Sequence, residues 1–289
     1  MGVLLTDEQK DIVSLFDDFM KHEVIYLRPG ESDGTLTTYI SEGETVDKMP
    51  PRPAIVICPG GGYRFTSDRE AEPVAMRFLA AGFQAFILRY SVKEKALFPR
   101  PLVEASRAIV HVRENAEAYH VDPSRVFIIG FSAGGHLAGS LGTMWHEEFA
   151  KASPDMAPGA NRPTGMILSY PVISAGEFTH KGSFAEILGE NVDNEEARHA
   201  YSLELHVDEN TVPTYIWHTC TDGTVPVENT LLFMSALAKS KVRFEAHIFP
   251  EGRHGSSLAN DQTCSGIPEL IIPEAMQWID EAIDWTKRV

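Results

Sequence analysis

The sequence predicts an α/β fold with a mostly parallel central sheet covered by helices on both faces. Short apolar runs rich in β-branched residues recur along the chain, and amphipathic helical patterns separate them. No Gly/Ser-rich or Pro-rich linker, internal repeat or low-complexity block interrupts this alternation. Strands buried on both faces read as near-continuous apolar runs, and each parallel return needs a crossover of helix length.

The strand candidates are residues 54–58, 83–90, 126–130, 165–170, 214–218 and 242–249. Helical patterns cover 73–81, 102–119, 132–147, 227–239 and 268–288. In the second of these, Val103, Ala105, Ile109, Val110 and Val112 mix the spacings of one apolar face. The first part of the chain differs, with a helix expected over 6–21 and antiparallel lead-in strands over 24–27 and 35–40. Residues 1–23 therefore read as an N-terminal helical extension, and 24–289 as a single domain. Residues 174–210 lack a strand signal and are rich in Glu, His and Asn, which suits a lid-like insertion.

Composition narrows the function classes. With 289 residues and 43% hydrophobic content, the chain can bury a sizeable core without disulfides or metal staples. Lys+Arg 25 against Asp+Glu 41 gives a net charge of −16, which repels phosphate backbones and anionic membrane surfaces. Neither nucleic acid nor membrane is an expected partner. Cys58, Cys220 and Cys264 are odd in number and far apart, so a disulfide framework and a zinc site are both unexpected. They read as reduced thiols of a cytoplasmic protein. The N-terminal apolar run is too short for a signal peptide, and no stretch reaches membrane-span length.

The strongest chemical signal is Gly130-Phe131-Ser132-Ala133-Gly134, a G-x-S-x-G set between a predicted strand and a predicted helix. Small flanking residues allow a sharp turn that presents the Ser132 hydroxyl, and the following helix N-terminus favours negative charge beside it. Pro59-Gly60-Gly61-Gly62-Tyr63 follows the first long strand. Successive glycines let backbone N–H groups approach a ligand, so Gly61, Gly62 and Ala133 are the expected donors to a developing oxyanion. A serine nucleophile needs a base, and the base an orienting carboxylate. Asp222 follows the fifth strand and His254 the sixth, giving the chain order Ser132, Asp222, His254.

Glu228 and Glu251 are competing acids that read as surface charges. His136 reads as a helix residue, and His206, His218 and His247 as lid, strand or core histidines. Tyr63 either lines the acyl pocket or packs on the loop. The charged 64–72 stretch reads as a solvated helix start, with contact to substrate as its alternative.

The set Pro59-Gly-Gly-Gly-Tyr63, Arg69-Glu-Ala-Glu-Pro73, Gly130-Phe-Ser-Ala-Gly-Gly-His136, Asp222 and His254-Gly255 resembles the α/β-hydrolase esterases of the bacterial acetyl esterase/acetylxylan esterase group, akin to the bifunctional feruloyl and acetyl esterases. The resemblance implies an α/β-hydrolase fold and hydrolysis of short-chain acyl esters, typically acetyl groups on sugars or xylo-oligosaccharides, with no cofactor; the residues themselves offer no metal-ligand pattern. It carries the nucleophile to Ser132, the base to His254, the orienter to Asp222 and the oxyanion donors to Gly61, Gly62 and Ala133. Hormone-sensitive-lipase-like esterases begin the glycine motif with His where this chain has Pro59, which moves it towards the sugar-esterase branch. The alternatives on the same residues are an aryl formamidase or a small peptidase, and a non-catalytic binding module. A homodimer is a reasonable expectation for the assembly.

Overall fold

The computed structural model describes residues 20–289, apart from residues 29, 44, 45 and 47. Among these residues the strands are β1 Met20–Lys21, β2 Val24–Tyr26, β3 Thr35–Ser41, β4 Arg52–Cys58, β5 Gln84–Arg89, β6 Val121–Phe131, β7 Met166–Ser169, β8 Thr214–Thr219 and β9 Phe244–Phe249. They form one sheet in the order β1-β3-β5-β4-β6-β7-β8-β9, with β2 also paired to β3. β1, β2 and β5 run antiparallel to β3, and from β5 to β9 every neighbouring pair is parallel.

The crossovers are helical. α1 is Glu72–Ala80, α2 Arg100–Glu114, α3 Ala133–Met144, α4 Lys181–Leu188, α5 Glu195–His199, α6 Glu228–Lys239 and α7 Trp278–Thr286. Side chains alternate across the strands, so each strand feeds two apolar layers. Val56, Ile128, Leu168 and Ile216 join Ile109, Leu137 and Phe233 on one face. Ile55, Ile57, Ile129, Ile167 and Trp217 join Phe78 and Trp278 on the other. Each fully buried aliphatic side chain contributes about 1.5–3 kcal/mol. The double covering therefore explains why the strands read as unbroken apolar runs. This is the α/β-hydrolase fold, open at its edges and not closed into a barrel.

Two expectations change. The helix expected over 268–288 is two short 3-10 turns, Pro268–Leu270 and Pro273–Ala275, followed by α7. Pro268 and Pro273 force extended backbone at Ile267 and Ile272, which breaks the helical run. The helix expected over 6–21 falls mostly outside the described residues, but its last two, Met20 and Lys21, form β1 against β3. Residues 174–210 contain α4 and α5, and Phe184, Ile187 and Leu203 pack into the same layer as α3.

Close packing around the β6–α3 junction sets the site. A β-carbon at Gly134 would lie 2.1 Å from the Cys58 carbonyl oxygen and 2.4 Å from that of Pro59. A β-carbon at Gly130 would lie 2.0 Å from the Gly134 oxygen. The first turn of α3 thus presses on backbone at the end of β4, where nothing can yield. Gly134→Ala is expected to destabilise the fold by at least about 1–3 kcal/mol. Urea denaturation checks this, and an unchanged midpoint would refute the packing argument.

Candidate active site

Ser132 sits between β6 and α3 with φ 53° and ψ −117°, a left-handed backbone that a residue with a β-carbon seldom adopts. Hydrogen bonds to β7 and its continuation hold it there. The Ser132 N–H donates to the Ser169 carbonyl at 3.0 Å, and its own carbonyl accepts from the Val172 N–H at 3.0 Å.

The Ser132 Oγ lies 2.8 Å from His254 Nε2, and His254 Nδ1 lies 2.6 Å from Asp222 Oδ2. A carboxylate only accepts, so Nδ1 carries the proton, and the Nε2 lone pair faces the Ser132 hydroxyl. Asp222 follows β8 and His254 follows β9, so both stand at the carboxyl end of the parallel strands, beside Ser132. The Tyr170 ring meets the His254 ring edge-on at 5.1 Å.

Asp222 is held from every side. Its Oδ1 accepts from the backbone N–H groups of Thr224 at 2.8 Å and Val225 at 2.9 Å. The buried His218 places Nε2 at 3.3 Å from Asp222 Oδ2 and 3.0 Å from the Val225 carbonyl oxygen. Two acceptors at one nitrogen put the proton on Nε2, leaving Nδ1 to accept from the Thr230 hydroxyl at 2.8 Å. Burial pushes the Asp222 carboxyl up, but hydrogen bonds from His218 and His254 outweigh this and hold it well below the usual carboxylate range. His218 is thus a satisfied strand histidine, bonded to the same carboxylate as His254.

The glycine turn after β4 takes left-handed backbone at Gly61, Gly62 and Tyr63, with φ of 134°, 65° and 61°. A β-carbon at Gly61 would lie 2.1 Å from the Phe65 carbonyl oxygen, so only glycine fits there. Gly61 and Gly62 line the same cleft as Ser132 and His254, a cavity of about 540 Å³. Ala133 is the first residue of α3, and its N–H is one of those with no acceptor inside the helix. A second cavity of about 630 Å³ shares Thr224 and His254 with the first and is lined by Glu251, Glu269 and Glu274.

Tyr63 does not line the cleft. It is fully buried, its ring packs against Tyr90, Phe98 and His136, and its hydroxyl donates to His136 Nδ1 at 2.9 Å. Left-handed backbone at Tyr63 turns the side chain inward, so packing on the loop replaces the acyl-pocket role. The solvated helix start also needs correction, since Arg64 and Asp68 are exposed but Glu70 is buried and lines the cleft. His180 joins the cleft from the start of α4, where a lone histidine carries no sequence signal. Its imidazole is shifted to lower pKa by burial and by the nearby His254 and Arg64.

The BD-FAE family model matches residues 44–237, two thirds of the chain. The chain belongs to the BD-FAE family. The match takes in the glycine turn, Ser132 and Asp222, while His254 lies beyond it. Among similar proteins, endo-1,4-beta-xylanase B of Butyrivibrio fibrisolvens is 41% identical over 218 residues, covering 74% of this chain and 34% of that protein. An acetylxylan esterase of Xylanibacter ruminicola is 32% identical over 209 residues, covering 70% of this chain and 40% of that protein. The chain thus spans only about a third to two fifths of these relatives. The crystal structure of an acetyl ester-xyloside bifunctional hydrolase from Caldicellulosiruptor lactoaceticus superposes with a TM-score of 0.77 at 35% identity. It covers 92% of this chain and 96% of that one. No helix of the described residues is long and apolar enough to cross a membrane.

The buried Tyr63–His136 pair makes stability depend on pH. His136 Nε2 faces the Tyr201 carbonyl at 2.8 Å and Nδ1 accepts from Tyr63, so the neutral ring is fully bonded. Burial pushes its pKa down from 6.5 to about 4. The unfolded chain then binds the extra proton in that window, so stability falls as pH drops from 6.5 to about 4. The loss is on the order of 3 kcal/mol. Urea midpoints against pH should show this for the native chain and a flatter profile for His136→Gln. Equal slopes would overturn it.

Proposed function

We propose that the protein is a serine carboxylesterase that removes short acyl groups, chiefly acetyl, from sugars or xylo-oligosaccharides. The observation that carries this reading is the hydrogen-bonded run from Ser132 Oγ through His254 to Asp222, at 2.8 and 2.6 Å, beside the glycine turn. Ser132 attacks the ester carbonyl while His254 Nε2 takes its proton, and Asp222 stabilises the imidazolium that forms. The N–H groups of Gly61, Gly62 and Ala133 donate to the developing oxyanion, each such donor being worth about 3–4 kcal/mol. His254 then protonates the leaving alcohol, and water repeats the sequence on the acyl-enzyme.

Chain length and alcohol follow from the walls. A long acyl chain needs an apolar wall, at about 0.8 kcal/mol for each buried methylene. The cleft offers Phe65 and glycines among Arg64, Ser67, Arg69 and His180, which favours a short acyl group. Glu251, Glu269 and Glu274 in the adjoining cavity are hydrogen-bond acceptors suited to neutral sugar hydroxyls on the alcohol side. The names of the Xylanibacter and Caldicellulosiruptor relatives point to the same ester class.

The test is hydrolysis of p-nitrophenyl acetate, butyrate and octanoate beside acetate release from acetylated xylo-oligosaccharides. Fast acetate turnover that collapses by octanoate, with acetate freed from the sugars, is expected. Turnover of aryl esters without any on sugars would discard the substrate class, and activity on N-formylkynurenine alone would reassign the chain as an aryl formamidase. Ser132→Ala should fold normally and lose about 10⁴-fold or more in kcat, and Asp222→Asn about 10⁴-fold. Turnover retained by Ser132→Ala would sink the assignment.

A further inference from the structure

Among the described residues, Glu70 and Glu104 are the buried glutamates, at 3% and 0% exposure. Glu104 is bound by Arg28 and Ser91 away from the cleft, whereas Glu70 lines the cleft that contains Ser132. A carboxylate there opposes any negative charge that develops on a substrate, so its place needs a compensating role.

Its bonds supply one. Glu70 Oε2 accepts from the Gly60 N–H at 2.9 Å, at the start of the glycine turn. Glu70 Oε1 accepts from the Tyr170 hydroxyl at 2.7 Å, and the Tyr170 oxygen accepts from the Ser257 N–H at 2.8 Å. The Tyr170 ring is the one that packs edge-on against His254. Arg69, the preceding residue, donates from Nη1 to the Gly255 carbonyl at 2.9 Å and the Thr263 carbonyl at 3.2 Å. The turn is closed on itself by the Ser67 N–H on the Gly60 carbonyl at 3.0 Å.

We propose that Glu70 is a positioning residue for acyl transfer, whose carboxylate ties the glycine turn to the Tyr170–Ser257 side of the His254 loop. The proposal rests on the esterase reading above. It keeps the Gly61 and Gly62 donors and the His254 base in register while Ser132 attacks, and Glu70 acts through the Gly60 N–H and the Tyr170 hydroxyl that its two oxygens bind. A misplacement of about 1 Å in such a site costs on the order of 10²-fold in rate.

The experiment compares Glu70→Ala, Glu70→Gln and Tyr170→Phe with the native chain by three readouts. These are Gly60 amide exchange, kcat per serine titrated with a fluorophosphonate, and affinity for a trifluoromethyl ketone that mimics the tetrahedral state. Glu70→Ala should speed Gly60 exchange at least about tenfold and lower kcat per titrated serine about 10²-fold, with KM changed less than about threefold. Ketone affinity should fall by the same factor as kcat/KM. Glu70→Gln can still accept from Gly60 and donate to Tyr170, and should recover to within about tenfold. Tyr170→Phe should lose about tenfold.

Unchanged kcat per titrated serine in Glu70→Ala, with only fewer titratable sites, would reduce Glu70 to a stability role and overturn the proposal. A loss carried by KM, or a kcat loss with unchanged Gly60 exchange, would overturn it too. Should Glu70→Ala fail to fold, native turnover in Tyr170→Phe would do the same. A native chain inert towards every ester would defeat the esterase reading instead, and the Gly60 amide would still decide whether Glu70 holds the turn.

Discussion

The tight junction between β6 and α3 is the constraint on which the remaining structure depends. Left-handed backbone at a serine costs on the order of 1–3 kcal/mol and persists only where the surroundings over-determine it. Here they do so from two sides. β7 and its continuation bind the Ser132 N–H and carbonyl through Ser169 and Val172, and the start of α3 abuts the Cys58 and Pro59 carbonyls. The same contact leaves a β-carbon at Gly60 only 2.9 Å from the Phe131 oxygen and 3.1 Å from the Ser132 Cβ. The glycine turn and the serine are therefore positioned by one packing arrangement, and neither can move without the other.

Electrostatics then fixes the second half of the site. A buried carboxylate is costly unless its lone pairs are taken up. Asp222 meets backbone N–H groups at one oxygen and two imidazole N–H groups at the other. With the charge retained on Asp222, His254 is confined to the tautomer that leaves Nε2 open towards Ser132. His218, anchored by Thr230 and Val225, holds the carboxylate from behind, as a brace on a group that His254 needs in one orientation.

The parts legible in the sequence were those written in local patterns. Residues 54–58 and 126–130 declare strands because both their faces are buried, and Gly130–Gly134 declares the turn because side chains would collide with backbone. The triad candidates emerged from chain order, since each sits just after a strand and parallel strands end on one edge. What stayed hidden was set by direction and long-range contact. Tyr63 stands beside the glycine turn in sequence yet points inward, because φ at that residue is positive. Glu70 lies in a charged stretch that reads as solvated, and its bonds to the Gly60 N–H and to Tyr170, 100 positions along the chain, reveal why it is buried. The helix expected over 268–288 was overextended because its apolar spacing continued across Pro268 and Pro273, whose backbone restrictions override periodicity.

The net charge of −16 bears on this site less than it first suggests. At physiological ionic strength exposed charges are screened over about 8 Å, so the groups lining a cavity decide its potential more than the chain's total. The cleft around Ser132 carries Arg64, Arg69 and His180 beside Glu70, whereas the adjoining cavity carries Glu251, Glu269 and Glu274 with Arg253. The two meet at His254 and Thr224. His254 thus stands where a lobe holding two arginines adjoins one holding three glutamates. On the proposed esterase reading, an ester bound across that boundary places its carbonyl oxygen at the glycine turn, on the side of Arg64 and Arg69, and its alcohol against acceptors. The acidic composition weighs against phosphate backbones, which would meet the whole surface. On the proposed esterase reading, a small neutral ester meets only this boundary, and these few side chains set its fit.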